Sequence, residues 1–183
     1  MALGACAPAP RAPLTSLDSL GRDEVVLVGR VEIVPPLRKG EQKIGGNVIG
    51  NFKDRLYLMA DDKPRALPQD PRVADYAGRI EAPLGATFFV RSKAEPFYVN
   101  GGILFLEFTG ASQQRIYFPG GLRVEIKPGD RAVYIGTLRY TRDEFFDIKR
   151  TQIVDEHREA SKEFAATFGA GAVLRKALMT PVR

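Results

Sequence analysis

His157 is the only histidine in the chain and Cys6 the only cysteine. A structural zinc site draws on four Cys or His ligands, so zinc is not expected, and one cysteine forms no intrachain disulfide. A general-base histidine needs a nucleophile and an orienting group within reach. No such set can be assembled around His157, which lies among apolar residues at helical spacing and reads as a core or edge residue. Asp61, Asp62 and Asp70 offer the hard oxygen ligands that calcium takes, but their spacing fits no EF-hand loop. Asp143-Glu144 and Asp155-Glu156 are adjacent pairs. Neighbours in a turn or at a helix start rarely flank one glycosidic bond, so turn and cap roles are expected of both. Gly45-Gly46-Asn47-Val48-Ile49-Gly50 lacks the Lys-Ser/Thr of a P-loop, and Gly169-Ala170-Gly171 follows a helix rather than a strand. Site residues for catalysis, cofactor or metal are therefore expected to be none, and the chain is expected not to be an enzyme.

The chemistry that remains is at the front. Leu3-Gly4-Ala5-Cys6 resembles the lipobox of bacterial lipoproteins: an aliphatic residue, two small residues, then the cysteine. The small residues let a peptidase grip extended backbone before the cut, and the sulfur takes the diacylglycerol. The resemblance implies that Cys6 is the lipid-attachment residue, acylated after removal of a signal peptide with chains such as palmitate. Each buried CH₂ contributes about 0.8 kcal/mol, and several chains anchor stably. Five residues precede Cys6, fewer than a basic and an apolar signal region require. The resemblance thus implies a start placed too late or a trimmed precursor. Pro8 stands where Asp in such lipoproteins favours the inner membrane, which implies the outer membrane, on its periplasmic side or its surface. Residues 7 to about 22 read as a tether. Pro8, Pro10 and Pro13 favour extended backbone, Ser16, Asp18, Ser19 and Gly21 oppose a packed element, and the stretch reaches roughly 50 Å.

The elements behind this front end must make the body. The chain has 183 residues, 44% hydrophobic and 27% charged, with a net charge of +5. That suits one globular domain with a buried core. Arg38, Lys39, Lys43, Lys53 and Arg55 are interrupted by Glu41 and Asp54, so no basic stripe forms and no nucleic-acid partner is expected. Arg175, Lys176 and Arg183 leave the C-terminal end positive, which reads as solubility, with anionic lipid headgroups as the alternative. The absence of Trp argues against a sugar-binding face.

From Glu24 the dominant period is two. Val25, Leu27, Gly29, Val31 and Ile33 share one face, and Val26, Val28, Arg30 and Glu32 the other, up to Pro35-Pro36, where a β-ladder is expected to stop. Leu56–Met59 and residues 87–92 follow as strands. Asn100-Gly101-Gly102 predicts a tight hairpin between Phe97–Val99 and Ile103–Leu106. Pro119-Gly120-Gly121 predicts a second turn, between Arg115–Phe118 and Leu122–Lys127, and the latter alternates buried and wet. Pro128-Gly129-Asp130 turns into Arg131–Tyr140, whose two apolar faces (Val133, Ile135, Thr137; Tyr134, Gly136, Leu138) predict a central strand. Thr141–Glu144 turns into a strand at Phe145–Lys149. Asp61–Pro83, rich in proline, reads as a long loop and the favoured place for a partner contact.

The C-terminal end changes period. Asp155 is placed to cap a helix in which His157, Ala160, Phe164 and Phe168 share a face, with Gly169 and Gly171 as the stop. A second short helix is predicted over Ala172–Met179. The expected fold is mainly β: an antiparallel β-sandwich of about eight strands with a C-terminal helix or two short helices. Residues 1–22 form the lipobox remnant and tether, and residues 23–183 one sandwich domain whose helical part spans 155–179. Lys127-Pro128-Gly129-Asp130 through Val133–Leu138 into Val154-Asp155-Glu156 is similar to small β-sandwich lipoproteins of bacteria. Together these imply a non-enzymatic envelope lipoprotein, a tethered binding or assembly module. Its partners would be the membrane, through acyl chains, and another envelope protein, with no cofactor. The alternatives are a lipid-anchored enzyme and a soluble intracellular assembly protein.

Overall fold

The computed structural model describes residues 14, 16–38, 41, 55–66, 78–107 and 113–182. These form two sheets and one α-helix. The strands are β1 (Glu24–Val34), β2 (Arg55–Asp61), β3 (Gly78–Pro83), β4 (Thr87–Lys93), β5 (Phe97–Glu107), β6 (Gln113–Val124), β7 (Ala132–Arg142) and β8 (Ile148–Val154), then two-residue β9 (Arg175–Lys176) and β10 (Thr180–Pro181). The helix α1 is His157–Phe168. One sheet runs β4-β1-β7-β8, with β9 added to β7; the other runs β10-β6-β5-β2-β3. The mainly-β, sandwich-like architecture is as the alternation predicts.

The division of β1 into two faces has a physical counterpart. Val25, Leu27, Val31 and Ile33 join the core between the sheets, with Leu56, Leu58, Leu104, Phe118 and Ile135. Val26 and Val28 join a second, smaller core on the outer side of the same sheet, where α1 lies, with Tyr134, Ala160 and Phe164. A strand covered on both faces has no polar side to present, which is why β1 reads as nearly continuous apolar sequence. Phe89, Phe164 and Phe168 form the aromatic centre of that outer core, at centroid distances of 4.7–6.2 Å. Alternation over Leu122–Lys127 holds too: Leu122, Val124 and Ile126 are buried, and Arg123, Glu125 and Lys127 exposed.

Two predicted turns are instead strand interiors. β5 runs unbroken through Asn100-Gly101-Gly102, and β6 through Pro119-Gly120-Gly121. The two segments meet each other, with Gly101 opposite Pro119 and a bulge between Val99 and Gly101. A Cβ on Gly120 would lie 2.2 Å from the Asn100 carbonyl carbon and the Gly101 nitrogen. These glycines serve a close backbone approach rather than chain reversal, a role glycine also fills in strands. The Asn100 side chain is spent on Lys63 O and the Arg65 N–H, holding the segment after β2.

Other expectations are corrected. The sandwich is not wholly antiparallel: β1 and β7 pair in parallel, as do β7 and β9. The predicted faces of β7 hold only to Ile135. Gly136 has φ +106° at a bulge, and beyond it Leu138 and Tyr140 take over the inner face. Thr137 lies with Tyr134 on the outer side, their hydroxyls 3.2 Å apart. The strand predicted at Phe145 begins only at Ile148, because residues 143–147 form a turn. The predicted loop Asp61–Pro83 ends in β3, which pairs with β2; residues 67–77 of it lie outside the described part. No second helix occupies Ala172–Met179. That stretch contains β9, and the Ala177 and Met179 N–H groups bond to Tyr134 and Ile135 carbonyls. Backbone pairing with β7 and burial of Leu174 and Met179 override a weak helical pattern.

Part of the stretch read as tether packs on the sheets. Leu17–Ser19 form a 3-10 turn, Leu20 is buried, and Leu14 and Leu17 pack on the outer core. The Arg131 guanidinium donates to the carbonyls of Leu17, Leu20 and Gly21. Residues 16–22 are thus in contact with the outer core and with Arg131.

Candidate functional site

Three polar groupings decide what the surface offers. The first lies where α1 meets the outer face of β1 and β7. Arg30 donates to Thr87 and Glu163 and lies 3.8 Å from Glu156. Arg139 bridges Glu32 and Glu156, and Thr137 donates to Glu156. The Tyr134 hydroxyl accepts the Glu156 N–H, and burial raises the tyrosine's pKa. The cleft bounded by Arg30, Thr87, Tyr134, Thr137 and Glu156 leaves no room for a water molecule. Arg30, Arg139, Glu32, Glu156 and Glu163 are paired with one another, so the grouping clamps the helix to the sheet.

The residues singled out in sequence fall around this clamp. His157 Nε2 lies 2.9 Å from Leu174 O and its ring packs on Tyr134, the edge role expected of it. Asp155 accepts the His157 N–H and pairs with Lys176 at 2.9 Å. The Lys176 hydrogen bond holds its carboxyl below the usual range, helped by the His157 N–H. Glu156 turns to Thr137 and Arg139, so the adjacent pair diverges. Gly169, at φ +100°, ends the helix.

The second grouping is at the pole where β1 and β7 start. Arg175 donates Nε and Nη2 to the two Asp130 carboxylate oxygens, and Nη2 also reaches the Glu125 carbonyl. Burial works against ionisation of Asp130, but the Arg175 hydrogen bond and the Lys127 N–H outweigh it, and its pKa is lowered. Arg175 and Lys176 are thus tied into the fold rather than spread as a free basic patch. The described chain enters at this same pole.

The third grouping is at the opposite pole, where β1 and β7 end. Arg142 is buried, donating to the carbonyls of Pro35 and Pro36 and to Glu41. Its guanidinium stacks on the Phe146 ring at 4.0 Å. Asp143 Oδ1 accepts the Phe145 and Asp147 N–H groups, and Asp143 Oδ2 and Asp147 Oδ2 both bind Lys149. The Lys149 contact lowers the Asp143 pKa. Phe146 holds φ 67°, a backbone state uncommon outside glycine. Inside this brace Phe146 is buried, while Phe145 is 78% exposed. Asp143 and Glu144 are a turn pair as expected; the exposed aromatic that follows them went unforeseen, because Phe145-Phe146 reads as strand. The signal was Asp143 with Asp147, an Asx-turn pattern.

The remaining candidates divide by what is described. Cys6, Lys39, Lys43, Lys53, Asp70, Arg183 and Gly45–Gly50 lie outside the described residues. Asp61 is buried with Oδ2 2.7 Å from Arg65 Nε, and the Asp62 N–H bonds Oδ1. Its hydrogen bonding with Asp62, more than the Arg65 charge, keeps its pKa low despite burial. Arg38 lies on the surface, and Arg55 pairs with Glu81. Among the described residues no group of three His, Cys, Asp or Glu could hold a metal ion. No helix there is long and apolar enough to cross a membrane. In comparisons with known proteins the chain matches no family model, no curated protein and no solved structure.

Proposed function

We propose that the chain is a non-enzymatic lipoprotein of the bacterial cell envelope. Acylation of Cys6 anchors it at the outer membrane, and the sandwich serves as a binding or assembly module for another envelope component. The observation that carries this reading is the bipolar layout. Arg131 fastens Leu17, Leu20 and Gly21 to the pole where β1 begins. β1 and β7 run in parallel to the other pole, where the braced turn presents Phe145. Eleven residues of β1 at about 3.3 Å each span roughly 35 Å, so a body held by its front end turns this aromatic away from the anchor. The clamped charges beside α1 support a scaffold rather than a reaction centre.

Intact-mass analysis of the native protein, with palmitate labelling, tests the anchor. The expected product begins at an acylated Cys6, and Cys6→Ser moves the protein to the soluble fraction without changing its melting temperature. A native protein with a free Cys6 thiol, recovered from the cytosol, refutes the reading.

A further inference from the structure

We propose that the turn Asp143–Asp147 is a docking tip, with Phe145 the anchor inserted into an apolar pocket rimmed by Lys or Arg on a protein partner. This deepens the module reading above by naming the contact surface and the chemistry that fits it. Three observations converge.

First, Phe145 is 78% exposed, although an aromatic of this size gains a few kcal/mol by burial. Its neighbour Phe146 is buried under Arg142, so the turn sorts its two aromatics, one inward and one outward. Second, the backbone that carries the outward one is braced. Asp143 fixes the Phe145 and Asp147 N–H groups, Lys149 ties both carboxylates, and Phe146 keeps its positive φ. A braced turn presents its anchor with little further loss of backbone freedom on docking. Third, the same turn carries three carboxylates (Asp143, Glu144, Asp147), with Lys149 engaged between two of them and Arg150 further along β8. That excess of negative charge complements a basic rim. It is repelled by anionic headgroups, which favours a protein pocket over a lipid surface.

The test places a photo-crosslinking benzoylphenylalanine at position 145 in cells, with position 173 as control. Val173 is 79% exposed and adjoins Leu174, at the pole where β7 starts. Expected is a discrete protein adduct at 145 at least tenfold stronger than at 173, joined to an apolar partner residue with Lys or Arg around it. The purified partner should bind the wild-type chain and lose at least tenfold in affinity with Phe145→Ala, and several-fold with Glu144→Lys or raised salt. Phe145→Ala should keep the wild-type melting temperature, since its ring lies in water. No adduct at 145, equal adducts at both positions, adducts to lipid, or a partner pocket without basic residues overturns the proposal. Running the same experiment on Cys6→Ser separates the two readings. An adduct that persists when native Cys6 proves unacylated keeps the docking tip and removes the tether.

Discussion

Arg142 is the residue on which the far pole depends. Its side chain is buried, two of its N–H groups serve proline carbonyls, and Glu41 is its counter-ion. Removing one partner of a buried pair leaves the other desolvated and unpaired. Arg142→Met should therefore cost about 3 kcal/mol in urea unfolding and loosen Phe146, seen as faster amide exchange over residues 143–147. Tyr140 makes a smaller case. It is fully buried, its ring meets Phe118 edge-on at 4.9 Å, and its hydroxyl donates to Pro119 O at 2.9 Å. Tyr140→Phe should cost about 1–2 kcal/mol, because it strands a buried carbonyl while leaving the ring packing intact. Asp130 carries a pH dependence. Its folded pKa lies below the unfolded value of about 3.9, so its stabilisation is complete above that value and is lost as pH falls through the folded one. Asp130→Asn should lower stability at pH 7 by about 1–2 kcal/mol and flatten the acid limb of the stability–pH curve below about pH 4. An unchanged acid limb would exclude this carboxylate as its source.

At the scale of elements, the informative failures are the two glycine pairs. Asn100-Gly101-Gly102 and Pro119-Gly120-Gly121 carry the chemistry of turns, and a hairpin is what that chemistry means in isolation. The structure sets the two against each other in neighbouring strands, where the space occupied by a Cβ at Gly120 belongs to backbone. Gly120→Ala should lower stability by about 3 kcal/mol, an overpacking cost. Gly171→Ala, with open space around it, should change little; thermal melts of the two variants compare them directly. Elements with a strong period were legible. β1 and α1 could be assigned face by face, because burial on both sides of one sheet writes itself into consecutive apolar residues. The inner face of β7 after Gly136 was not legible. One bulged residue exchanges the two faces of everything beyond it, and no local pattern announces it.

Across the whole molecule, the two poles give the fold a direction. Arg131→Ala removes the donors for Leu17, Leu20 and Gly21. It should make the backbone around Leu17–Leu20 cleavable by a protease while the sandwich core survives. Equal resistance in the variant would show that packing of Leu17 and Leu20 alone holds this segment.

The amino-acid order by itself determined the fold class, the two faces of β1, the central place of β7, the helix with its Gly169 stop, and the lipobox-like Leu3–Cys6 that underlies the proposed address. These are local or periodic properties, set by near neighbours along the chain. Only the tertiary structure decided that β1 and β7 pair in parallel, that the glycine segments face one another, that residues 16–22 contact the outer core and Arg131, and that Phe145 stands exposed while Phe146 is covered. Each of these depends on contacts between residues far apart in sequence, such as Arg142 with Pro35 or Arg131 with Leu17. Such contacts exist only after the chain has closed on itself, and no short stretch of sequence encodes them.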